Sequence, residues 1–450
     1  MRLNPELQRY GWLEFSWQRL LIAPALLAAI YLLASRTPII AMQLIIHLSK
    51  YGFLILVLLW GGNKAARCVT EEVAANTWDW QRLSSLSPPS LAFGKIAGNA
   101  IYNWYAGALC LGLYVWGCAQ TGQPTDLILR NCTLLVTGGI LCQTVALLAS
   151  LITMQEAGVR RKRYASLGVH IAGLLAALIP LRQVNETVTV EPLPGSNMEH
   201  IWWYGSSYPE TGFVTVTTLL ACAWAIAGIY WQMRGQLRMR TGPWLWAAFG
   251  LFAIGFCAGF DIGALNGKTL AFTVSLALFY IIAILEQWDG LTWRKLLTHW
   301  KNGKRMAFSC LLPRWVISLV FCSLITAYGY IRQEESPLLF SAQLVFAMRD
   351  IALLHYFHLH PKNARANAST ILTLAILYIL LPWLAFTAHK TELMLWFMPL
   401  SAAGHTATPV ISGIIQTAII LVLVYWRWRN YWGNPTTATR PANPPAQAQS

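Results

Sequence analysis

Side chains capable of acid–base or metal chemistry are sparse in this sequence, and most of them stand singly between long apolar runs. The densest group is His355, His358 and His360, of which the first two are one helical turn apart. Neither a Glu-x-x-His nor a His-Glu-x-x-His spacing accompanies them. We therefore predict no metal site and no catalytic residue in this chain.

Lys50 is a single cation inside an apolar run. A lysine at the centre of a membrane span costs roughly 2.5–3.5 kcal/mol, so its side chain is expected to face protein or water. One interpretation is a contact in the path of a translocated substrate. The other is a late-starting span whose lysine reaches back to the membrane surface.

The segment from Thr70 to Lys95 carries the most specific pattern. Thr70 is a candidate N-cap, and Glu71 and Glu72 would occupy the first helical turn, where carboxylates are favoured. The Ser- and Pro-rich stretch at 84–89 would end the helix. This predicts an amphipathic helix over 70–87 on the cytoplasmic membrane surface.

With Gly94-Lys95 opening the next span, the segment from Glu71 to Gly107 resembles the coupling-helix region of bacterial ABC exporter permeases of the second class. The resemblance implies a helix that docks on a separate cytoplasmic ABC ATPase subunit, present in two copies, which would bind ATP and Mg²⁺. This chain would itself bind no cofactor. The docking residues carried over are Glu71, Glu72, Thr77, Asp79, Arg82 and Leu83.

A second amphipathic helix is predicted over 286–305, where Trp293, Leu296, Leu297 and Trp300 share one face. It is either a second, degenerate docking helix or an anchor at the membrane surface.

Gly255, Gly259 and Gly263 recur every four residues, which predicts a ridge for close helix packing. The glycines at 263 and 267 have three residues between them, whereas a phosphate-binding loop needs four. We therefore place any nucleotide site on a partner.

These segments must be held by membrane helices. The chain has 450 residues, 56% hydrophobic and 11% charged, which excludes a disordered chain and makes a soluble globule or a nucleic-acid-binding protein untenable. Its apolar runs predict an all-α, polytopic helix bundle with about twelve transmembrane helices, within a range of 10–12.

The net charge of +15 indicates first how the chain is oriented in the membrane, because cytoplasmic loops carry an excess of Lys and Arg. With the N-terminus in the cytoplasm, 26 of the 33 Lys and Arg residues, Arg349 among them, fall on the cytoplasmic side. We therefore predict a multi-pass protein of the bacterial inner membrane with both termini cytoplasmic and membrane lipids around it.

Three regions are predicted: a membrane block over 1–234 with an outer loop at 182–212, a second block over 235–432, and a disordered tail over 433–450. Each block would have about six helices, so two six-helix repeats are one interpretation. A pair of six-helix blocks in one chain leaves open whether a second permease copy is needed.

The leading functional hypothesis is the membrane subunit of an ATP-driven exporter for a hydrophobic or amphipathic substrate. The alternatives are a membrane-embedded enzyme acting on lipid-linked substrates, using Glu334, Glu335 or Asp261, and a membrane scaffold protein.

Overall fold

The computed structural model describes residues 4–34, 38–84, 86–156, 162–186, 200–261, 266–286, 290–332, 337–360, 366–399 and 407–432. Of the described residues, 85% are helical, and they form an all-α bundle. Within the described residues, eight helices are long and apolar enough to cross a membrane: Met42–Ala74, Thr125–Thr153, Glu210–Gln236, Gly267–Leu285, Arg314–Ile331, Pro337–His358, Ala366–Thr387 and Thr408–Tyr431. Shorter apolar helices lie at Trp17–Ala29, Gly168–Val184 and Trp244–Ala258. The chain is therefore a helical membrane protein.

The chain forms two compact units, Met1–Thr241 and Gly242–Ser450. The helices of the first unit are α1 (Pro5–Glu14), α2 (Trp17–Ala34), α3 (Pro38–Phe53), α4 (Gly62–Ala74), α5 (Trp78–Leu83), α6 (Pro88–Gly98), α7 (Ile101–Gln120), α8 (Thr125–Glu156), α9 (Lys162–Glu186) and α10 (Glu210–Gln236). Helix α8 packs against α4, α9 and α10, and its Leu134, Leu147 and Leu151 are fully buried.

The π-helical segment Leu54–Gly61 joins α3 to α4 without a break. A π-helical turn leaves carbonyl groups that need partners outside the usual helix ladder. Side-chain amides supply them: Asn103 Nδ2 donates to Leu56 O at 2.9 Å, and Gln143 Nε2 donates to Val57 O at 3.0 Å.

The prediction that a separate helix starts at Thr70 is wrong, because the preceding helix continues to Ala74. Thr70 lies inside it, and its hydroxyl donates to Arg67 O. The chain turns only at Asn76, which has a left-handed φ of 56°. The predicted helix over 70–87 is thus the end of α4, a turn and the short helix α5.

The segment predicted as an outer loop, 182–212, holds the end of α9, a β-hairpin and the start of α10. Its strands are β1 (His200–Trp203) and β2 (Ser206–Pro209), paired antiparallel. Tyr204 and Gly205, the two residues of the turn, both have positive φ, as a type I′ hairpin turn requires.

The helices of the second unit are α11 (Trp244–Ala258), α12 (Gly267–Leu285), α13 (Gly290–Lys301), α14 (Arg305–Leu311), α15 (Arg314–Ile331), α16 (Pro337–His358), α17 (Ala366–Ala375), α18 (Leu381–Thr387), α19 (Thr391–Met394) and α20 (Thr408–Tyr431). The π-helical segment Ile376–Leu380 connects α17 to α18. Helix α16 packs against α20, and α12 packs against α15.

The helix predicted over 286–305 is observed as two pieces, α13 and the start of α14, with a left-handed Gly303 between them. Of its predicted apolar face, Leu296 is buried, whereas Leu297 and Trp300 are exposed. The predicted tail, 433–450, lies outside the described residues.

Candidate functional site

The candidate site lies at one end of the first unit, where α1, α4, α5 and α6 meet. Asn4 caps α1 by accepting hydrogen bonds from the backbone N–H groups of Glu6 and Leu7. The Asn4 amide also donates to Ser90 O at 2.7 Å, which ties the start of α1 to α6.

Two glycines of α6 let α1 approach closely. A Cβ atom at Gly94 would lie 2.5 Å from Glu6 Cβ, and one at Gly98 would lie 2.6 Å from Tyr10 Cδ2. These distances are shorter than any normal contact, so a glycine is needed at both positions for α1 to lie where it does.

Four charged side chains form an ion cluster between these helices, which we call the base cluster: the buried Glu6, Glu72 and Lys95 and the partly exposed Arg9. Lys95 Nζ donates to Glu72 Oε2 at 2.5 Å and to Glu6 Oε1 at 3.2 Å. Arg9 Nη2 donates to Glu6 Oε1 at 2.7 Å and to Glu72 Oε1 at 2.6 Å. Two cations and two anions therefore neutralise one another.

Lys95 is fully buried at the centre of the base cluster. Burial alone would lower the pKa of its ammonium group, but Cys68, Glu72 and Glu6 outweigh burial and leave that pKa above its ordinary value. The ammonium group is therefore charged at neutral pH. A buried charge of this kind is tolerated only when it is paired.

The short helix α5 contacts the base cluster through one buried side chain and exposes two others. Its Trp78 is buried, and the ring lies 5.1 Å from Lys95 Nζ. By contrast, Trp80 is 78% exposed and Leu83 is 82% exposed. Helix α5 thus presents two large apolar side chains on a fixed support.

Two further hydrogen bonds attach α5 to the membrane helices. Thr77 Oγ1 donates to Glu72 O at 3.1 Å, which joins the start of α5 to α4. Arg82 Nε donates to Gln236 O at 2.9 Å, which joins its end to α10. Arg82 also pairs with Asp79 at 3.2 Å. The orientation of α5 is therefore coupled to α4, α6 and α10.

The structure separates the six predicted docking residues into two groups. Glu71, Thr77, Asp79 and Leu83 are exposed and Arg82 is half-buried, so all five lie at or near the surface. Glu72 is instead buried in the base cluster, where no partner protein could reach its carboxylate. Its place is in the support of α5.

Lys50 is buried in α3, and its Nζ lies 5.0 Å from the centroid of the Tyr51 ring. The base cluster does not include it. Its predicted contact with a substrate stays a prediction.

The predicted glycine ridge lies partly outside the described residues, because Gly263 is not among them. Gly255 lies in α11 and Gly259 follows its end. Among the described residues, no atom beyond the chain neighbours and the helix's own nearby backbone lies within 4 Å of a Cβ built at Gly255. The glycine ridge stays a prediction.

The second unit holds a buried polar network that the sequence analysis missed. Arg349 was assigned to a cytoplasmic connector after a span ending near 349, which is wrong because α16 continues to His358. Arg349 is fully buried and donates from Nε and Nη2 to Asp350 Oδ1 at 2.9 and 2.8 Å. Tyr280 and Tyr378 both donate to Asp350 Oδ2 at 2.8 Å.

The described part of the chain contains no cluster of three or more His, Cys, Asp or Glu side chains that could hold a metal ion. Comparisons of the chain with protein-family models, with curated proteins and with solved structures found no match.

Proposed function

We propose that this protein is the membrane-spanning permease subunit of an ATP-driven ABC exporter, and that α5 is its docking helix for a separate cytoplasmic ATPase subunit. One observation carries the proposal: α5 exposes Trp80 and Leu83 almost completely, while its buried Trp78 packs against Lys95 of the ion-paired base cluster. Large exposed apolar side chains on a rigid support are typical of protein interaction sites.

The attachments of α5 support a role in transmitting movement. A docking helix can transfer force to membrane helices only if it does not move independently of them. Trp78 contacts Lys95 of α6, Thr77 bonds to α4, and Arg82 bonds to α10. A displacement of α5 by a bound ATPase would therefore reach three helices of the first unit.

A groove in the first unit supports a hydrophobic or amphipathic cargo. Its volume is about 700 Å³, and its lining is mostly apolar, with Phe93, Ile96, Val136 and Ile226 among the lining residues. A volume of roughly 300–1,000 Å³ is usual for small-molecule sites. We extend the proposal to about twelve membrane helices in two six-helix blocks, in the bacterial inner membrane with both termini cytoplasmic.

The proposal is tested by placing a photocrosslinking amino acid at Leu83 in the full chain and irradiating membranes of the native host. We expect a covalent adduct with a protein carrying ABC ATPase motifs. Leu129 is 70% exposed on α8 and serves as the matched control, which should not form this adduct. Adducts with lipid alone at Leu83 would contradict the proposal, because α5 would then lie in the membrane surface.

A second experiment tests whether Trp80 and Leu83 contribute to the binding energy between the permease and the ATPase. Trp80→Ser combined with Leu83→Ser should abolish co-purification of that ATPase, since exposed aromatic anchors dominate binding energy. The melting temperature of the permease should stay the same, because neither side chain is buried. Unchanged co-purification would refute docking through α5.

A further inference from the structure

A cavity in the second unit has a strongly aromatic lining. Its volume is about 510 Å³, and it lies between α12, α13, α15, α16 and α20. The aromatic residues of the lining are Phe279, Trp293, Trp315, His355, Tyr425 and Trp428. We call it the aromatic cavity. Its size is within the range of roughly 300–1,000 Å³ that is usual for small-molecule sites.

Two buried polar atoms belong to this lining and have no hydrogen-bond partner among the described residues: Trp315 Nε1 and His355 Nε2. The two rings are in contact, with centroids 5.5 Å apart, and Trp293 covers His355 from another side at 5.6 Å. An unsatisfied buried polar atom is destabilising, and two such atoms on rings that contact each other require an explanation.

The roles of these two atoms follow from chemistry. His355 Nδ1 lies 2.8 Å from Ile351 O. A carbonyl oxygen only accepts, so Nδ1 carries the proton, and in the uncharged ring Nε2 is an acceptor. Trp315 Nε1 can only donate. Two lining residues of the aromatic cavity therefore carry one donor and one acceptor just beneath an apolar surface.

A hydroxyl group matches this pair, because its oxygen accepts one hydrogen bond and its proton donates another. We propose that the aromatic cavity binds an apolar alcohol dissolved in the membrane, with its hydroxyl group bonded to Trp315 Nε1 and His355 Nε2. Since both nitrogens are covered by side chains, binding requires a side chain of the lining to rotate away.

The position of the cavity indicates the bilayer as the source of this alcohol. Leu421 and Tyr425 of α20 and Met348 of α16 line the cavity, and all three are exposed on helices long enough to cross a membrane. A membrane-dissolved molecule could thus enter from the bilayer past these exposed side chains. This inference does not depend on ATP-driven export, since binding needs neither the ATPase nor α5.

The test uses the full chain in nanodiscs and a photoactivatable diazirine derivative of hexadecanol. We expect labelled peptides from α13, α15, α16 or α20. Unlabelled hexadecanol should compete about tenfold better than hexadecane, and hexadecyl methyl ether should lie between them, because the ether keeps an acceptor and loses the donor. Equal competition by hexadecanol and hexadecane, or labelling confined to other helices, would overturn the proposal.

Variants separate hydroxyl recognition from general apolar binding. His355→Phe should reduce the affinity for hexadecanol to that for the methyl ether, and Trp315→Phe should likewise remove only part of the tenfold preference, while hexadecane binding stays unchanged. His355→Gln retains an acceptor and should keep part of the preference. Trp244→Phe, at a residue that is 69% exposed in the same unit, should have no effect. Unaltered hexadecanol binding in both Phe variants, each folded as judged by its melting temperature, would refute the assignment of these atoms.

Discussion

Replacing Lys95 by methionine tests whether the base cluster holds the first unit together. The substitution removes an ammonium group that bonds to Glu72 and Glu6 at 2.5 and 3.2 Å. Only Arg9 then remains to neutralise both carboxylates, which keep their hydrogen bonds to it but carry one uncompensated negative charge. Removal of one member of a buried ion pair costs about 3–5 kcal/mol.

The size of the loss in stability distinguishes the effect of the missing charge from the effect of altered packing. Methionine fills nearly the same space as the lysine stem, and hydrophobic exchanges that conserve volume usually cost less than about 1.5 kcal/mol. A loss of 3–5 kcal/mol in the free energy of unfolding corresponds to a drop of about 6–20 °C in Tm for a unit of this size. The assay is thermal unfolding of the full chain in nanodiscs, followed by tryptophan fluorescence.

Asp79→Asn is the matched control, because it removes a charge from an exposed pair. The Asp79 side chain is 78% exposed, and surface pairs contribute less than about 1 kcal/mol. The double variant Lys95→Met with Glu72→Gln restores neutrality, so we expect it to recover much of the lost Tm. A drop for Lys95→Met no larger than that of Asp79→Asn, or additive losses in the double variant, would refute the reasoning.

Three further predictions concern packing, the second unit and pH. Gly94→Ala should lower Tm, because its Cβ would lie 2.5 Å from a side chain of α1, at a cost of about 1–3 kcal/mol. Gly112→Ala is the control and should not lower Tm, because its Cβ meets no described atom within 4 Å. Arg349→Met should destabilise the protein by about 3–5 kcal/mol by leaving the buried Asp350 carboxylate without its cation, measured in the same assay, and an unchanged Tm would contradict this. The raised pKa of Lys95 means that its stabilisation is complete below its ordinary pKa of about 10.4 and is lost as pH rises through the raised value. The Tm difference between wild type and Lys95→Met should therefore be constant from neutral pH to about pH 10 and shrink above it; a difference that shrinks between pH 7 and 9 would contradict the charged, paired ammonium group.

The eight long apolar helices of the described residues were predictable because hydropathy is a local property, whereas the predicted total of about twelve is not confirmed. A helix that crosses a membrane needs about 20 predominantly apolar residues in succession, and such runs are visible without knowledge of the fold. Helix ends were less predictable. The helix containing Thr70 continued to Ala74, and α16 continued past Arg349 to His358, because partners elsewhere in the fold stabilise polar residues that the sequence suggested were outside the spans.

The sequence alone identified only some of the residues of the candidate site. Asp79, Arg82 and Leu83 were singled out because the segment that contains them resembles the coupling-helix region of ABC exporter permeases. Arg9 was counted only among the basic residues that set topology, and Glu6 was given no role. The spacing of Glu6 and Arg9 at i and i+3 and the Asn4-Pro5 start are signals of a capped, ion-paired helix.

The sequence by itself determined that this is a helical membrane protein, because its apolar content must be removed from water in long runs. Only the tertiary structure decided which charged residues are structural and which are free to meet a partner. Glu6 and Lys95 are 89 residues apart in the chain, yet a hydrogen bond joins their side chains. An ion pair depends on distance in space, and that distance is fixed by how α1, α4 and α6 pack around Gly94 and Gly98.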